Sequence, residues 1–358
     1  MFIYFLLFLL LSSFMYIEAI KINGTRVLSL NCKNALVFII ITFLCFISAT
    51  RSYTGQDFAE YIDIYNYTPA IFSGEDIFQG YSNIEPGFRV IASVAKMFDS
   101  DIVYLALCAG LSLFPLYFGI IKVNRYTRIS MSYAILIYFC FFYINYNFNA
   151  MRQAITMGFF ICSISYMYEK KTSKVILISL LAATFHSTGI LILLSYIASR
   201  FYLINSYKKI FFVLIASLIA YRVDILTRVF AVSGVNISRW QDLWGEISVS
   251  SIILRIILIA VLIFPKPVFK EGRLGALLFT FYIYGFFIYM ALGSVDMMAA
   301  RFNMFFRVLE VLLIPLLLAR YRVKINKGAH YLLFFCLYFL VLFVTSSIEV
   351  NHYNFLVK

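Results

Sequence analysis

Charge is what this sequence has least of. Only 13% of its 358 residues are Asp, Glu, Lys or Arg, where soluble proteins carry about a quarter. With 63% of residues hydrophobic, too little polar surface remains to cover a water-soluble particle. A soluble dinucleotide-dependent enzyme and a nucleic-acid-binding domain are excluded on that ground. Paired cysteines are lacking too. Cys32, Cys45, Cys108, Cys140, Cys162 and Cys336 are scattered without a C-x-x-C pair, and read as small packing residues, not a disulfide frame. His186, His330 and His352 match no zinc spacing. No metal and no other cofactor is expected, although a divalent ion held by carboxylates stays open as an alternative. No Lys or Arg precedes the first apolar run, MFIYFLLFLLLSSFMYIEAI. A secretory signal needs such a basic start, so the run is expected to be a retained first span.

In place of charge the chain has long apolar runs from end to end. They predict an all-α, polytopic integral membrane protein, one membrane domain over residues 1–358, with no internal repeat and no linker to a soluble domain. The formal charge of +13 is then topogenic. Basic clusters recur at every second connection: Lys21, Arg26 and Lys33; Lys122, Arg125 and Arg128; Lys170, Lys171 and Lys174; Arg200, Lys208 and Lys209; Lys266, Lys270 and Arg273; and Arg320, Arg322, Lys324 and Lys327. They account for 19 of the 30 basic residues, and the positive-inside rule makes their side cytoplasmic. The long connections at about 51–100 and 222–250 then lie outside. In the second, Trp240 and Trp244 suit an interfacial helix.

One stretch tests the scheme. Residues 174–200 carry basic residues at both ends. A straight span would put one of those ends outside, whereas two short helices folded at His186-Ser187-Thr188-Gly189 return both to the cytoplasm. At ~1.5 Å per residue, a 12-residue arm reaches about 18 Å, short of the ~30 Å hydrocarbon core. Such a hairpin must sit inside protein with its tip in an outward polar cavity. With the hairpin, about 12 membrane segments result and both termini lie outside; without it there are about 11, and the C-terminal half inverts. The hairpin is favoured.

Eleven basic residues remain once the clusters are set aside, and nine of them are arginine: Arg51, Arg89, Arg152, Arg222, Arg228, Arg239, Arg255, Arg301 and Arg307. Most of the acids, among them Asp57, Glu60, Asp63, Glu75, Asp76 and Glu85, also fall on the outer side. Arginine forks bidentately onto phosphate and carboxylate oxygens, so an outward cavity holding arginines and carboxylates suits a diphosphate and a sugar. The bland alternative is an arginine snorkelling from a helix end. Four short elements bear on the choice. Arg51 to Tyr61 (RSYTGQDFAEY) leaves the second span, and Gly55 permits a tight turn aiming Arg51 and Asp57 together. Glu85-Pro86-Gly87-Phe88 is a helix start, where the glutamate could be an ordinary cap. Asn149-Ala150-Met151-Arg152-Gln153 opens a span. Phe185-His186-Ser187 forms the hairpin tip.

In this order and on this side, the elements resemble the EpsG-like branch of the bacterial Wzy-type O-antigen and exopolysaccharide polymerases. The resembling residues are R-x3-G-x-D-x3-Y at Arg51, Gly55, Asp57 and Tyr61, E-P-G-F at Glu85 to Phe88, Arg152-Gln153, Phe185-His186-Ser187, and Arg301 near a later outer helix end. They extend over about residues 51–310, with glutamine at position 56 where the family is expected to have threonine. The resemblance implies a glycosyltransferase that joins oligosaccharide repeat units carried on undecaprenyl diphosphate, at the outer face of the cytoplasmic membrane, in concert with a chain-length regulator protein. On that reading Arg51, Arg152 and Arg301, with Tyr61 and Gln153, bind substrate and neutralise the leaving diphosphate. Asp57, Glu85 and His186 are the candidates for the base that takes the acceptor hydroxyl's proton, Asp57 first.

Two rivals stand beside it. A lipid-oligosaccharide flippase would need a polar path across the bilayer, for which Glu18, Glu310 and Arg307 are the candidates. An O-antigen ligase would use similar parts with a different acceptor.

Overall fold

The computed structural model describes residues 2–19, 21–22, 25–26, 28–78, 84–232, 245–264, 267–319 and 324–355. Trp240 and Trp244 lie outside the described residues, as do Arg239, Lys266, Arg320 and Arg322. Helices dominate, as expected: the strands among the described residues are two-residue pairs. By packing, the chain sorts into two compact units, Met1–Leu193 with Leu318–Lys358, and Leu194–Leu317.

Among the described residues, five helical segments are long and apolar enough to cross a membrane: Leu30–Ala49, Asp101–Thr127, Met131–Asn149, Val249–Lys270 and Gly272–Ala291. A sixth arises if Asp296–Arg307 and Glu310–Ala319, bent by 43° at their junction, form one span. That is fewer than the 11 to 12 segments expected; Phe2–Glu18, Thr172–Ala183, Ser187–Phe201 and Phe335–Ser347 are apolar but shorter.

In the first unit, α1 (Phe2–Ala19), α2 (Leu30–Ala49), α3 (Phe58–Tyr67), α4 (Pro86–Lys96), α5 (Asp101–Thr127), α6 (Met131–Tyr138), α7 (Met151–Tyr168) and α8 (Thr172–Ala183) follow in order. The chain of α6 runs on as a π-helix over Phe139–Asn149, a wide winding that is rare in proteins and often marks a functional region.

The two ends of this unit differ in chemistry. At one end Glu18 accepts hydrogen bonds from the Ser130 hydroxyl and from the backbone N–H groups of Met131 and Ser132, and pairs with Lys33 at 3.8 Å. A carboxylate there satisfies orphan N–H groups at the start of α6 and favours its dipole. Lys122 and Tyr166, and Tyr126 and Glu169, are hydrogen-bonded beside the neighbouring connection. This is the basic end. Glu18 is consumed in tying α1 to α6, which removes it from the flippase's polar path.

At the opposite end the N-terminal helix, the exit of α2 and the C-terminal segment meet. Tyr4 donates to the Asn351 carbonyl at 2.8 Å, and Arg51–Ser52 pairs antiparallel with Asn354–Phe355. Both ends of the described chain therefore lie on the side of the Arg51 turn, as expected with the hairpin.

The hairpin is present. α8 ends at Ala183, a 3₁₀ turn covers Ser187–Gly189, and α9 (Ile190–Phe201) follows. The register shows that the chain reverses: a Cβ on Gly189 would stand 2.8 Å from Ala183 Cα, and four residues on Leu193 donates its N–H to Ser179 Oγ at 3.3 Å. Ser179 also donates to the Gly189 carbonyl at 2.9 Å, so a buried hydroxyl fastens the two arms.

The second unit contains the rest of α9, then α10 (Tyr207–Val223), α11 (Ile225–Val232), α12 (Val249–Ile263), α13 (Gly272–Ala291), α14 (Asp296–Arg307) and most of α15 (Glu310–Ala319). Its α13 is buried along most of its length and packs on α10 and α14. At the bend between α14 and α15, Glu310 accepts from Arg307 Nε at 2.6 Å and from the Tyr282 hydroxyl at 2.9 Å. This local ion pair neutralises both of the remaining flippase candidates. The last helix, α16 (Lys324–Ser347), returns to the first unit.

Candidate functional site

The site is built where four helix ends of the first unit converge: the starts of α3, α4 and α7, and the tip between α8 and α9. Its floor is aromatic. Phe58, Tyr61, Tyr65, Phe88, Tyr104, Met151 and Phe185 share one buried cluster. The Phe88 and Tyr61 rings lie 5.6 Å apart, and those of Tyr65 and Tyr104 stack at 5.3 Å.

The turn after α2 forms as Gly55 predicts, with φ +103°. A Cβ there would stand 2.7 Å from Asn149 Oδ1 and 2.8 Å from the Phe148 carbonyl, so only glycine lets the turn close on the end of the π-helix. Asn149 accepts the Gln56 N–H and fixes that junction. The turn does not aim Arg51 outward beside Asp57, however. Arg51 is completely buried, its guanidinium 4.8 Å from the Phe148 ring, donating to the Ser48 carbonyl at 2.5 Å and to Met151 Sδ at 2.9 Å. Strand pairing with Phe355 and the aromatic platform turn the side chain inward, and its Nε has no hydrogen-bond partner. Arg51 thus lies beneath Met151, the residue that precedes Arg152. Asp57 stays half-buried at the head of α3, where its side chain makes no capping bond.

Glu85 links three of the four elements. Pro86 occupies the first turn of α4 as expected, but the Glu85 carboxylate does not cap the helix it precedes. One oxygen accepts from Arg152 Nη1 at 2.6 Å and the other from the Ser187 N–H at 3.2 Å. Both partners of the ion pair are about four-fifths buried, with side-chain exposures of 23% and 21%. Arg152 also hydrogen-bonds the Tyr61 hydroxyl, and its Nε is buried without a partner. Burial pushes the Tyr61 hydroxyl up to about 12, although the Arg152 charge pulls the other way, so the phenol is protonated at neutral pH. Asp57, four residues before Tyr61, acts on the same hydroxyl electrostatically. Gln153 is buried one residue deeper in α7.

The hairpin tip is docked on this group. The Gly87 N–H donates to the Thr184 carbonyl at 2.8 Å, and Thr188 lies 3.2 Å from Thr156 of α7, oxygen to oxygen. His186 stands before the 3₁₀ turn and accepts the Thr188 N–H on Nδ1 at 3.2 Å. Nδ1 also lies 2.9 Å from Thr188 Oγ1. In the tautomer that accepts both Thr188 groups on Nδ1, the ring proton resides on Nε2 and His186 acts as a donor there.

The arrangement unites Asp57, Tyr61, Glu85, Arg152, Gln153 and His186 around the end of α7, with Arg51 buried below. Arg301 lies on α14 of the second unit and is exposed. Among the described residues no three His, Cys, Asp or Glu side chains come together as a metal-binding group. Residues outside the expected catalytic and substrate-binding set also hold the site. Ser187 supplies a backbone N–H, and Thr184 and Thr188 lock the tip. Arg89 donates to the carbonyls of Ile84 and Phe78 and so anchors the segment that leads into Glu85. Its place among the outer-side arginines, three residues after the helix-starting Pro86, was the available signal.

Fold and site define a polytopic α-helical membrane protein with a charged, pre-arranged polar site at one end of its helices. The chain belongs to the EpsG family, whose model matches residues 34–357, nearly the whole length. No curated protein and no solved structure matches the chain. Membership supports a polysaccharide polymerase-type role of the glycosyltransferase kind.

Proposed function

We propose that the protein polymerises a cell-envelope polysaccharide, such as an O-antigen, capsule or exopolysaccharide, by joining oligosaccharide repeat units carried on undecaprenyl diphosphate. It does so at the outer face of the bacterial cytoplasmic membrane, the basic end of the helices facing the cytoplasm. The observation that carries this reading is Arg152, a guanidinium held by Glu85 and Tyr61 beside the hairpin tip. Glu85 cancels part of its charge but fixes its direction, and its remaining N–H groups are available to oxygens of a diphosphate.

In the transfer, the bond between the sugar's anomeric carbon and the diphosphate oxygen breaks as the acceptor hydroxyl oxygen bonds to that carbon. Negative charge grows on the diphosphate, where Arg152 and the Nε2–H of His186 stabilise it. Arg51 adds a buried positive charge behind Met151. The acceptor hydroxyl gives its proton to Asp57. Glu85 is a poorer base, because each of its oxygens already accepts a charged or backbone donor. His186 is poorer still, its lone pair being taken by Thr188. Gln153 and the aromatic floor position the sugar. A chain-length regulator is the expected protein partner.

The test is glycan profiling by gel of a deletion strain, complemented with wild type, Arg152→Ala or Asp57→Asn at equal protein levels. Loss of the long-chain ladder with survival of single repeat units is expected for the deletion and for both variants. Loss of single units as well would point to flipping or ligation and overturn the reading; a full ladder with Asp57→Asn would remove that residue as base.

A further inference from the structure

The second unit holds an arginine for which neither topology nor the site above accounts. Arg255 lies in the second turn of α12, about 9 Å from the start of the helix at ~1.5 Å per residue. Three helices fix its guanidinium. Nη1 donates to the Ser251 carbonyl on its own helix at 2.8 Å, and Nε donates to Asn303 Oδ1 of α14 at 2.8 Å. The group lies 3.7 Å over the ring of Tyr289, in the last turn of α13. The loops that lead into α12 and α14 are themselves tied together, Ile247 N–H to the Gly293 carbonyl and Asp296 N–H to the Gly245 carbonyl, each at 2.9 Å. The three helix ends therefore hold one position.

What this guanidinium lacks is a counter-ion. Two of its five N–H groups are used on neutral oxygens, leaving three. Among the described residues no carboxylate lies within ion-pair distance, and the first turn of α12 contains no acid. Glu310 is engaged by Arg307 and Tyr282. Asp296, at the start of α14, acts on Arg255 only at longer range, against the opposing charge of Arg307. Glu246 is exposed in the preceding loop. A neutral side chain could tie three helices together at lower cost than a half-buried cation in an apolar span. An immobilised fork with unused donors, an aromatic face beneath it and no acid beside it suits a pair of phosphate oxygens.

We infer that Arg255, oriented by Asn303 and Tyr289, is a second anion site, and that it takes the diphosphate of the second lipid-linked substrate. The inference rests on the polymerase reading in one respect. Joining two lipid-linked units brings two diphosphates to one protein, and the Arg152 site accounts for one of them.

The test is native mass spectrometry of the purified full-length protein in neutral detergent, titrated with undecaprenyl diphosphate and, separately, with phosphatidylglycerol. Two undecaprenyl diphosphates are expected on wild type and one on Arg255→Gln. Arg255→Lys keeps the charge but not the fork, and is expected to weaken that binding event about tenfold. A wild-type melting temperature for Arg255→Lys, with only the second binding event weakened, guards against a folding artefact. Two bound molecules on Arg255→Gln would overturn the site. Equal Arg255-dependent uptake of phosphatidylglycerol would overturn the substrate assignment and leave a general lipid head-group contact. Arg152→Gln separates the two readings. One bound molecule on that variant supports both, whereas two, with one lost in Arg255→Gln, would sink the Arg152 assignment and keep Arg255.

Discussion

Gly87 and Thr184 are in backbone contact, the Gly87 N–H donating to the Thr184 carbonyl at 2.8 Å. A Cβ on Gly87 would overlap Thr184 Oγ1 and stand 2.8 Å from that carbonyl oxygen. The glycine of the E-P-G-F element is therefore the seat on which the hairpin tip rests. Gly87→Ala should displace the tip, at an overpacking cost of about 1–3 kcal/mol, and abolish or sharply reduce polymer. Adding Thr184→Ala removes the hydroxyl but not the carbonyl, so the double variant should recover part of the ladder. Equal activity of Gly87→Ala and wild type would show that the tip need not dock there.

The ion pair between Glu85 and Arg152 predicts an asymmetry between its two partners. Glu85→Gln keeps an acceptor oxygen for Arg152 and the same shape, and should lower the polymerisation rate by roughly 10- to 100-fold, the range expected for one charged hydrogen bond. Arg152→Ala removes the group assigned to the diphosphate and should leave no ladder. Rates measured in membranes with lipid-linked repeat units check both. If Glu85→Gln were as inactive as Arg152→Ala, the carboxylate would have a direct chemical part.

His186→Asn separates capping from donation. An asparagine oxygen can accept the Thr188 N–H in place of Nδ1, so the tip should fold and melt as in wild type. It cannot reproduce the Nε2–H, and polymer should fall by about tenfold or more, the worth of one hydrogen bond to a charged group. A wild-type ladder from this variant would reduce His186 to a structural cap.

The C-terminal segment should matter for the Arg51 turn despite its distance in sequence. Tyr353 donates to the Ile47 carbonyl at 2.9 Å and lies 2.9 Å from Thr50 Oγ1, while Gly55 donates to the Val350 carbonyl at 2.8 Å. Tyr353→Phe should lower stability by about 1–2 kcal/mol, read as a lower melting temperature and faster proteolysis of the C-terminal end. An unchanged melting temperature would mean that the strap does not hold the turn.

Much of this molecule is fixed by sequence alone, because the bilayer constrains it so strongly. Charge-poor runs must become helices in lipid, basic clusters must alternate with spans, and two 12-residue arms around His186 are too short to cross singly. The helical class follows from those constraints, which also favour the hairpin, and with it the common side of the two ends, over a straight span that would invert the C-terminal half. Gly55 and Pro86 likewise announce a turn and a helix start by their own backbone limits. Tertiary structure decided what no local pattern encodes, namely which side chain meets which. It turned Arg51 inward onto Phe148, because strand pairing with Phe355 and an aromatic platform lie on that side. It took Glu85 from helix capping to Arg152 and the Ser187 N–H, and it spent Glu18 and Glu310 on local partners. Those outcomes depend on contacts between residues tens to hundreds of positions apart, where spacing in sequence carries no information about distance in space.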